Sequence, residues 1–409
     1  MKSVVVIGGG AAGLMAAIRA AECGALVRLI EPNEKLGKKL NITGKGRCNV
    51  TNDTDLDGLM QNIPCNGRFL YSAFSQWMPQ DTMAFFEQQG VPLKVERGNR
   101  VFPVSDSAFD ISDALKKRLR HLKGEWIHDR AAQIVTADGA VAAVKGEKET
   151  YPCDAAILAT GGVSYPLTGS TGDGYRMARE LGHTIIEPKG SLVPLISPDE
   201  DCAAMQGLSL KNVELTAYNK KNKAVYREFG EMLFTHFGVS GPLVLSLSAH
   251  LRNWGRESYR LSIDLKPALD EQKLDGRILR DIAESPNKDF EKIVAGLVNR
   301  SMVPVMLKRL GIPGTLKANS VTKEQRRALV QLLKHFTVAV SGPRGVAEAI
   351  VTSGGVKVSE IEPQTMASKL VEGLYFAGEI IDVDAYTGGF NLQIAWATGH
   401  LAGQSAAEG

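Results

Sequence analysis

Apolar residues follow two different patterns over the first part of the chain. Val4 to Ile7 is a continuous β-branched run, which is typical of a strand buried on both faces of a parallel sheet. An alanine-rich stretch from Ala11 to Ala21 follows and ends near Gly24, a composition that predicts a helix with a glycine stop. A second apolar run, Ala25 to Ile30, predicts another strand. Together these patterns predict a βαβ unit.

Three glycines with the spacing G-x-G-x-x-G cover the turn after the first strand and the first turn of the helix. Gly8 allows the tight turn, Gly10 lets the backbone approach a pyrophosphate, and Gly13 lets helix and strand pack closely. Ala11 and Ala12 open the helix, whose free N–H groups and positive end suit a phosphate. The spacing therefore predicts a dinucleotide-binding fold.

Glu31 closes the second strand, eighteen residues after Gly13, and is placed to accept hydrogen bonds from the adenosine ribose. The fingerprint serves FAD and NAD alike, so later segments must decide between them. Residues 155–162 form a strand of small apolar residues ending in A-T-G-G, which looks like a second flavoprotein signature. Its predicted cofactor contacts are Thr160, Gly161 and Gly162.

The C-terminal part of the chain carries a third segment that favours FAD. Residues 373–379 resemble a strand that ends in A-G-D, where the acid usually holds the ribityl chain. Glu379 replaces the usual Asp after Gly378. Residues 387–393 then open a helix whose positive end would stabilise negative charge at the flavin N1–C2=O edge. The predicted contacts in its first turn are Gly389, Asn391, Leu392 and Gln393.

Several protein classes are excluded by composition. Five cysteines without a C-x-x-C pair argue against a disulfide framework and a zinc ribbon, and they suit a reducing cytosol. The sequence contains no run of about 18 apolar residues, which a membrane-spanning helix would need. No second G-x-G-x-x-G follows a strand. We therefore expect a cytoplasmic protein without a metal or a membrane partner, for which NADH or NADPH would be a transient electron donor.

The stretch from Lys35 to Asn52 closely resembles that of bacterial aminoacetone-oxidase-family FAD-binding proteins, a group that includes the bile-acid-operon flavoprotein. Residues 234–242, 352–356 and 378–393 match as well, so the resemblance covers essentially the whole chain. It implies a flavin domain split between the chain ends, a β-barrel-like insert, and a helical piece within the insert. Members have been assigned amine oxidation and ribosomal RNA dihydrouridine synthesis, so the family does not fix the substrate.

A shorter resemblance concerns the chemistry. Thr171 to Ala178 is similar to the T-G-D-G-x-x-M-A of fumarate-reductase flavoproteins, which move a hydride between flavin N5 and a polarised C=C bond. Residues 35–60, where those relatives place a covalent flavin link, contain no histidine. We therefore expect non-covalent FAD.

These observations predict an α/β chain with a Rossmann-type FAD-binding domain over residues 1–190 and 341–409. A β-rich insert is expected over 191–266 and a helical, basic subdomain over 267–340. Between Lys266 and Lys334 there are fourteen Lys/Arg and eight Asp/Glu, an excess of six against three for the whole chain. This excess fits either a solvated helical face or a polyanionic partner such as ribosomal RNA.

Two regions supply candidates for chemistry. The glycine-broken loop after the ribose acid supplies four predicted cofactor contacts, Lys39, Thr43, Gly44 and Arg47. Arg47 could also meet an anionic substrate. Cys48 could act as a general acid beside the flavin, or be a small buried residue. His236, in a loop with nearby glycines, could contact substrate, donate a proton, or make a structural hydrogen bond.

Three function classes remain open from the sequence. The first is a reductase of an activated C=C bond, with a uridine in ribosomal RNA as the candidate substrate. The second is an amine or aminoketone oxidase, or a reductase of steroid-like small molecules. The third is a flavin-bearing RNA-binding protein with little turnover.

Overall fold

A computed structural model describes residues 1–251, 254 and 258–409. The chain forms two compact units. Unit 1 combines Met1–Ser191 with Val346–Gly409, and unit 2 is Leu192–Gly345. Unit 1 thus contains both ends of the chain, and the predicted α/β fold class is confirmed.

Strands and helices both occur throughout the described part of the chain. The strands are β1 (Ser3–Ile7), β2 (Leu26–Ile30), β3 (Thr51–Asn52), β4 (Leu93–Glu96), β5 (Arg100–Pro103), β6 (Glu125–Ile127), β7 (Ala131–Ala137), β8 (Ala140–Gly146), β9 (Thr150–Pro152), β10 (Ala155–Leu158), β11 (Ile185–Ser191), β12 (Leu195–Ile196), β13 (Ser209–Asn219), β14 (Ala224–Thr235), β15 (Gly238–Ser240), β16 (Tyr259–Asp264), β17 (Phe336–Val340), β18 (Gly342–Pro343), β19 (Val351–Val356) and β20 (Leu374–Phe376). The α-helices are α1 (Ala11–Glu22), α2 (Leu56–Gln61), α3 (Tyr71–Gln76), α4 (Pro79–Gln88), α5 (Ala108–His121), α6 (Asp173–Glu180), α7 (Glu200–Ala204), α8 (Pro242–Ser248), α9 (Glu271–Glu284), α10 (Phe290–Ala295), α11 (Val303–Leu310), α12 (Lys323–Lys334) and α13 (Phe390–Glu408).

The core of unit 1 is a parallel sheet in the order β20-β10-β1-β2-β6. Its central strand pairs Val5 with Ala156 on one side and with Arg28 on the other. All four residues Val4–Ile7 of β1 are buried, as the uninterrupted apolar run predicts for a strand covered on both faces. The three signature segments of the sequence therefore follow three adjacent strands, β1, β10 and β20. Their carboxyl ends meet at one edge of the sheet, where open α/β sheets bind ligands.

Helices α1 and α13 pack against each other without side chains between their backbones. A Cβ atom on Gly399 would lie 2.5 Å from the carbonyl oxygen of Ala12, and one on Gly403 would lie 2.3 Å from that of Ala16. Both contacts advance by four residues in the same direction, so the helices run parallel. Measured from these contacts, α13 begins eight residues before α1 does, which is about 12 Å at the rise of an α-helix. The two helix N-termini therefore point the same way, one ahead of the other.

Unit 2 contains a seven-stranded antiparallel sheet in the order β17-β16-β13-β14-β15-β12-β18. The helices α9 to α12 lie between β16 and β17 in the sequence, and the two strands pair directly, with Leu261 opposite Val338. Buried residues of these helices, such as Leu274 and Leu329, share one core with the sheet. The predicted boundary at 266/267 between a β-rich and a helical part stays a prediction. Among the described helices, none is both long and apolar enough to cross a membrane.

Candidate cofactor site

The N-terminus of α1 is open on the side that a ligand would approach. Gly10 is the residue before the helix and has no side chain that could cap it, and the first turn contains no acid. A Cβ atom on Gly10 would meet no atom within 4 Å, whereas one on Gly13 would lie 1.8 Å from the carbonyl oxygen of Gly8. Gly13 is thus required by packing, and Gly10 borders free space. The first N–H groups of the helix lack helical acceptors, so this space suits an anion.

Glu31 lies at the end of β2 and is already bonded within the protein. Its Oε2 accepts the backbone N–H of Gly9 at 2.7 Å, and its Oε1 accepts both the backbone and side-chain N–H of Asn33 at 2.8 Å. The Asn33 amide also donates to the carbonyl of Thr168 at 3.0 Å. Glu31 therefore fixes the glycine turn as well as facing the predicted ribose position. Asn33 was missed by the sequence analysis, because an asparagine after an acid carries no distinctive signal.

A cleft in unit 1 opens beside Glu31 at the carboxyl edge of the sheet. It is closed on one side by an ion pair, in which Arg130 donates to Asp173 at 2.8 Å. Arg130 belongs to no motif and could not be predicted as a site residue from the sequence. The cleft is lined by Ile7, Gly8, Ile30, Glu31, Pro32, Arg130, Ala131, Thr160, Gly169, Thr171, Gly172, Asp173 and Met177. It brings the fingerprint, the ribose acid and the A-T-G-G segment together, and its position fits an adenosine group.

The A-T-G-G segment lies against the T-S-G-G-V segment of β19. A Cβ atom on Gly162 would lie 2.2 Å from Oγ1 of Thr352, and this oxygen accepts the N–H of Val163 at 2.8 Å. Gly161 has a positive φ of 72°, a conformation that favours glycine. The Oγ1 of Thr160 is buried and has no hydrogen-bond partner among the described residues. This orphaned hydroxyl lies on a residue that lines the cleft.

Glu379 links four segments of unit 1. Its Oε2 pairs with Nζ of Lys39 at 2.7 Å, and its Oε1 accepts the N–H of Thr352 at 2.7 Å and the hydroxyl of Ser164 at 3.0 Å. Lys39 also donates to Ser164 at 2.7 Å. Burial acts to raise the pKa of Glu379, but the Lys39 charge and these hydrogen bonds hold it below its usual range. The carboxylate is therefore ionised and held by protein groups.

The first turn of α13 has no side-chain cap, and side chains within it bond to neighbouring segments. Gly389, at φ 103°, precedes the helix, and no side chain caps it. The amide of Asn391 donates to the carbonyl of Ala385 at 2.7 Å and accepts its N–H at 3.0 Å. Buried Gln393 accepts the hydroxyls of Thr51 and Thr82 at 2.7 and 2.9 Å. The predicted cofactor roles of Asn391 and Gln393 stay predictions, since their polar atoms serve the protein. Leu392 is half-buried against the core.

The loop before Cys48 reverses several times. Gly44, Lys45, Gly46 and Cys48 all have positive φ values, between 57° and 85°. Thr43 donates its hydroxyl to the carbonyl of Leu40 at 2.7 Å, and Gly44 packs against Asn49. Two non-glycine residues in the left-handed region within one loop indicate backbone strain held by the surrounding structure.

Arg47 is engaged on the protein side of this loop. Its guanidinium pairs with Glu96 and Asp106 and lies 4.2 Å over the ring of Phe102. The hydrogen bond from Arg47 lowers the pKa of Glu96. Two carboxylates thus neutralise the cation that the sequence analysis assigned to the pyrophosphate and to substrate. Those two roles of Arg47 stay predictions, and the contacts favour a structural one.

Cys48 is completely buried, and burial raises its pKa to about 12. Its thiol therefore remains protonated at neutral pH and has no exposed surface. The arrangement favours packing over direct contact with a substrate, although the predicted proton-donor role stays untested.

His236 belongs to unit 2. It forms the two-residue turn between β14 and β15, where it is exposed and contacts the ring of Phe237 edge-on at 5.0 Å. Gly238, which follows the turn, has a φ of 149°, and a Cβ atom there would lie 2.3 Å from the carbonyl oxygen of Leu195 in β12. Its predicted substrate contact stays a prediction. Within the described residues, no group of acidic, histidine or cysteine side chains could hold a metal ion.

The residues present fit FAD. An uncapped helix N-terminus with free space at Gly10 suits the pyrophosphate, the cleft beside Glu31 suits adenosine, and the α13 N-terminus lies about 12 Å further along, where an extended flavin would reach. This fold and site define the protein as an FAD-binding oxidoreductase. The chain belongs to the family described as HI0933-like protein Rossmann domain, which it matches over residues 2–405.

Two relatives and one solved structure are similar to this chain over nearly its whole length. The 3-dehydro-bile acid delta(4,6)-reductase of Clostridium scindens is 30% identical over 413 residues, covering 100% of both chains. The ribosomal RNA dihydrouridine synthase of Haemophilus influenzae is 31% identical over 404 residues, covering 97% of this chain and 96% of its own. The 3-ketosteroid-delta4-(5alpha)-dehydrogenase of Rhodococcus jostii RHA1 has a similar fold, with a TM-score of 0.51, 16% identity, and coverage of 99% and 97%. The predicted family and enzyme class are confirmed.

Proposed function

We propose that this enzyme is a reductase that adds two hydrogens across a C=C bond conjugated with a carbonyl group. The observation that supports this most is that two relatives, each about 30% identical over nearly the full length, carry names that describe one chemistry. A delta(4,6)-reductase acting on a 3-dehydro compound and an enzyme that forms dihydrouridine both saturate a C=C bond in conjugation with a carbonyl. The substrates differ greatly in size, so the shared part is the reaction.

Bound FAD supplies a hydride donor at N5. The chain contributes two helix N-termini without side-chain caps. That of α1 would hold the pyrophosphate, and that of α13 would stabilise negative charge on the flavin. We propose non-covalent binding, and NADH or NADPH as the electron donor. Because the sequence contains a single dinucleotide fingerprint, we expect the nicotinamide donor to bind transiently and leave before the acceptor enters.

The experiment is a pair of anaerobic half-reactions. The enzyme is first reduced with NADPH, NADH or an amine, and the reduced enzyme is then mixed with an α,β-unsaturated ketone, with uridine-containing RNA, or with oxygen. We expect rapid reoxidation by a conjugated C=C acceptor and slow reoxidation by oxygen. Fast reaction with oxygen, with peroxide released during amine turnover, would instead establish the oxidase alternative.

Ribosomal RNA is the second candidate, as the carrier of the reacting base. It is favoured by the charge distribution: residues 192–345 contain 23 Lys/Arg and 16 Asp/Glu, a net charge of +7, which leaves −4 for the rest of the chain. A polyanion would be attracted to unit 2 and repelled by unit 1. Six of these seven net charges lie between Lys266 and Lys334, in the helical part of unit 2.

Three cations of the helices in unit 2 are poor candidates for a contact with RNA, because they form ion pairs with aspartates. Arg309 bonds Asp201 at 2.7 Å, and Arg326 bonds Asp275 at 2.6 Å, with 18% and 15% of their side chains exposed. Lys308 is more exposed but also pairs with Asp201. These cations hold the insert together, and their substitution would confuse folding with binding.

The tip of the β13–β14 hairpin is the better candidate. Residues 218–227 contain three lysines, one arginine and no acid, and Lys221 and Lys223 are exposed. We expect charge reversal at Lys221 and Lys223 to weaken binding to ribosomal RNA fragments and to lower the salt slope by up to about 1.8. The matched control reverses two exposed lysines of unit 1, Lys117 and Lys145. If tip and control variants bind alike, a small-molecule substrate is favoured.

A further inference from the structure

We propose that Glu379 acts on the cofactor through Lys39: the carboxylate fixes the ammonium group so that its remaining N–H binds the FAD diphosphate. In the flavoprotein signature that this segment resembles, an aspartate is expected to hold the ribityl chain directly. The longer glutamate here serves a different contact. The inference rests on FAD being the cofactor and is independent of the substrate.

The geometry of Lys39 leaves one donor available. An ammonium group has three N–H donors, and two of them reach Glu379 and Ser164, both at 2.7 Å. The structure describes no third acceptor among the residues it covers. The side chain is 22% exposed, so the third donor has access to a ligand. Because two bonds fix the ammonium, little conformational entropy remains to be lost when it binds an anion.

Glu379 itself has little capacity for a ribityl hydroxyl. Its Oε1 accepts both Thr352 N–H and the Ser164 hydroxyl, and its Oε2 accepts Lys39. Thr352 in turn is fixed by the N–H of Val163. The carboxylate is therefore a junction of β19, the A-T-G-G loop and the Lys39 loop, and its acceptor positions are largely used.

The location points to the diphosphate. A Cβ atom on Gly378 would lie 2.6 Å from Cβ of Ala12 in the first turn of α1, and one on Gly162 would lie 3.1 Å from Oε1 of Glu379. The residue before Glu379 thus packs against the first turn of α1, whose uncapped N–H groups suit the same anion. A lysine at this place adds a full positive charge to the helix end, as a charge-assisted contact.

The test measures the affinity of the apoprotein for FAD and for ADP, which shares the diphosphate and lacks the ribityl chain. We expect Lys39→Met, Glu379→Gln and Glu379→Asp each to weaken FAD and ADP by the same factor, about tenfold to a hundredfold for loss of a charge-assisted bond. If Glu379 holds the ribityl chain directly, Glu379→Gln weakens FAD and leaves ADP unchanged, and Glu379→Asp binds FAD as the wild type does. Either result overturns the proposal, as does a wild-type apoprotein that binds FAD but not ADP.

A double variant separates binding from folding. Lys39→Met alone leaves a partly buried carboxylate without its cation, which lowers stability. In Lys39→Met/Glu379→Gln the pair is neutral, so we expect the thermal midpoint of the apoprotein to recover while FAD and ADP affinities stay low. If the thermal midpoint and the FAD and ADP affinities all recover in the double variant, the Lys39–Glu379 pair is structural only. Lys117→Met on α5 is the control for loss of one lysine. An apoprotein that binds no FAD in any form would contradict the cofactor assignment itself, a result distinct from these.

Discussion

The carbonyl oxygen of Ala12 lies only 2.5 Å from the place that a Cβ atom on Gly399 would occupy. The contact joins the first helix of the chain to the last one, and a second contact four residues further along makes the two helices parallel. Because of it, the positive ends of α1 and α13 are held in a fixed relation. A dinucleotide bound at one end would then be able to present its flavin at the other.

The first prediction tests this packing. Gly399→Ala should lower the free energy of unfolding by about 1–3 kcal/mol, since the methyl group must displace the α1 backbone. Gly276→Ala in α9 is the matched control, because a Cβ atom there meets nothing within 4 Å. The control should be neutral or stabilise by about 0.5–1 kcal/mol through helix propensity. If Gly399→Ala and Gly276→Ala change stability equally in thermal or urea unfolding, then α1 and α13 are not in backbone contact.

The second prediction separates two glycines of the fingerprint. Gly10→Ala should leave the apoprotein as stable as wild type and weaken FAD binding at least about tenfold, because its Cβ atom points into space that the pyrophosphate needs. Gly13→Ala should destabilise the apoprotein itself, because the methyl group would lie 1.8 Å from the Gly8 carbonyl oxygen. FAD titration and apoprotein melting together check this. Unchanged FAD affinity in Gly10→Ala would place the pyrophosphate elsewhere.

These two glycines also show how far the sequence could go. The spacing of Gly8, Gly10 and Gly13 predicts the turn and the role of each, because strand, turn and helix are local and their geometry is nearly fixed. The strands that precede the other two signatures could be predicted on the same grounds, whereas their adjacency to β1 in one sheet is a tertiary arrangement. Partners such as Asn33 and Arg130 could not, because they are brought to the site by tertiary packing and have no motif of their own.

The third prediction concerns Cys48. Because its thiol is buried and its pKa is raised to about 12, it should resist alkylation in the native protein at pH 8 and react in urea. Cys48→Ala should cost about 1 kcal/mol of stability and keep acceptor turnover within a few-fold. A selective loss of about 10²–10⁴-fold in reoxidation by the acceptor, with reduction by NAD(P)H intact, would instead establish a proton donor.

The fourth prediction concerns His400 on α13, which stacks on Trp77 with ring centroids 4.3 Å apart. Burial, and then the charge of Arg19, lowers its pKa to about 4. Between about pH 6.5 and 4 the unfolded state therefore binds more protons at His400 than the folded state does. The stability that neutral His400 contributes is present above pH 6.5 and is lost as the pH falls towards 4.

When the pH is lowered from 7.5 to 5, we expect this one residue to lower the free energy of unfolding by about 2 kcal/mol, or the thermal midpoint by about 4–8 °C. His400→Phe keeps a ring against Trp77 and cannot titrate, so its midpoint should fall by correspondingly less over the same pH range. An equal fall in both proteins would contradict the assignment of the pH dependence to His400.

The roles of charged residues were the hardest to predict from the sequence. The sequence offered Arg47, and the cations between Lys266 and Lys334, as possible ligand contacts. In the structure Arg47 is paired with carboxylates, as are Lys308 and Arg309 of the second group. Such pairs join residues far apart in the chain, and a single sequence does not show which acid approaches which base. Glu379 is the opposite case: its departure from the usual aspartate was visible in the sequence, but its reason, the contact with Lys39, was not.

The most direct test of the account is the flavin content of the purified enzyme. Acid precipitation should leave the colour in the supernatant as FAD, close to one molecule per chain, because the site fits the whole dinucleotide and residues 35–60 contain no histidine for a covalent link. Flavin retained in the pellet would contradict non-covalent binding. A colourless protein that cannot be reconstituted with FAD would contradict the central claim.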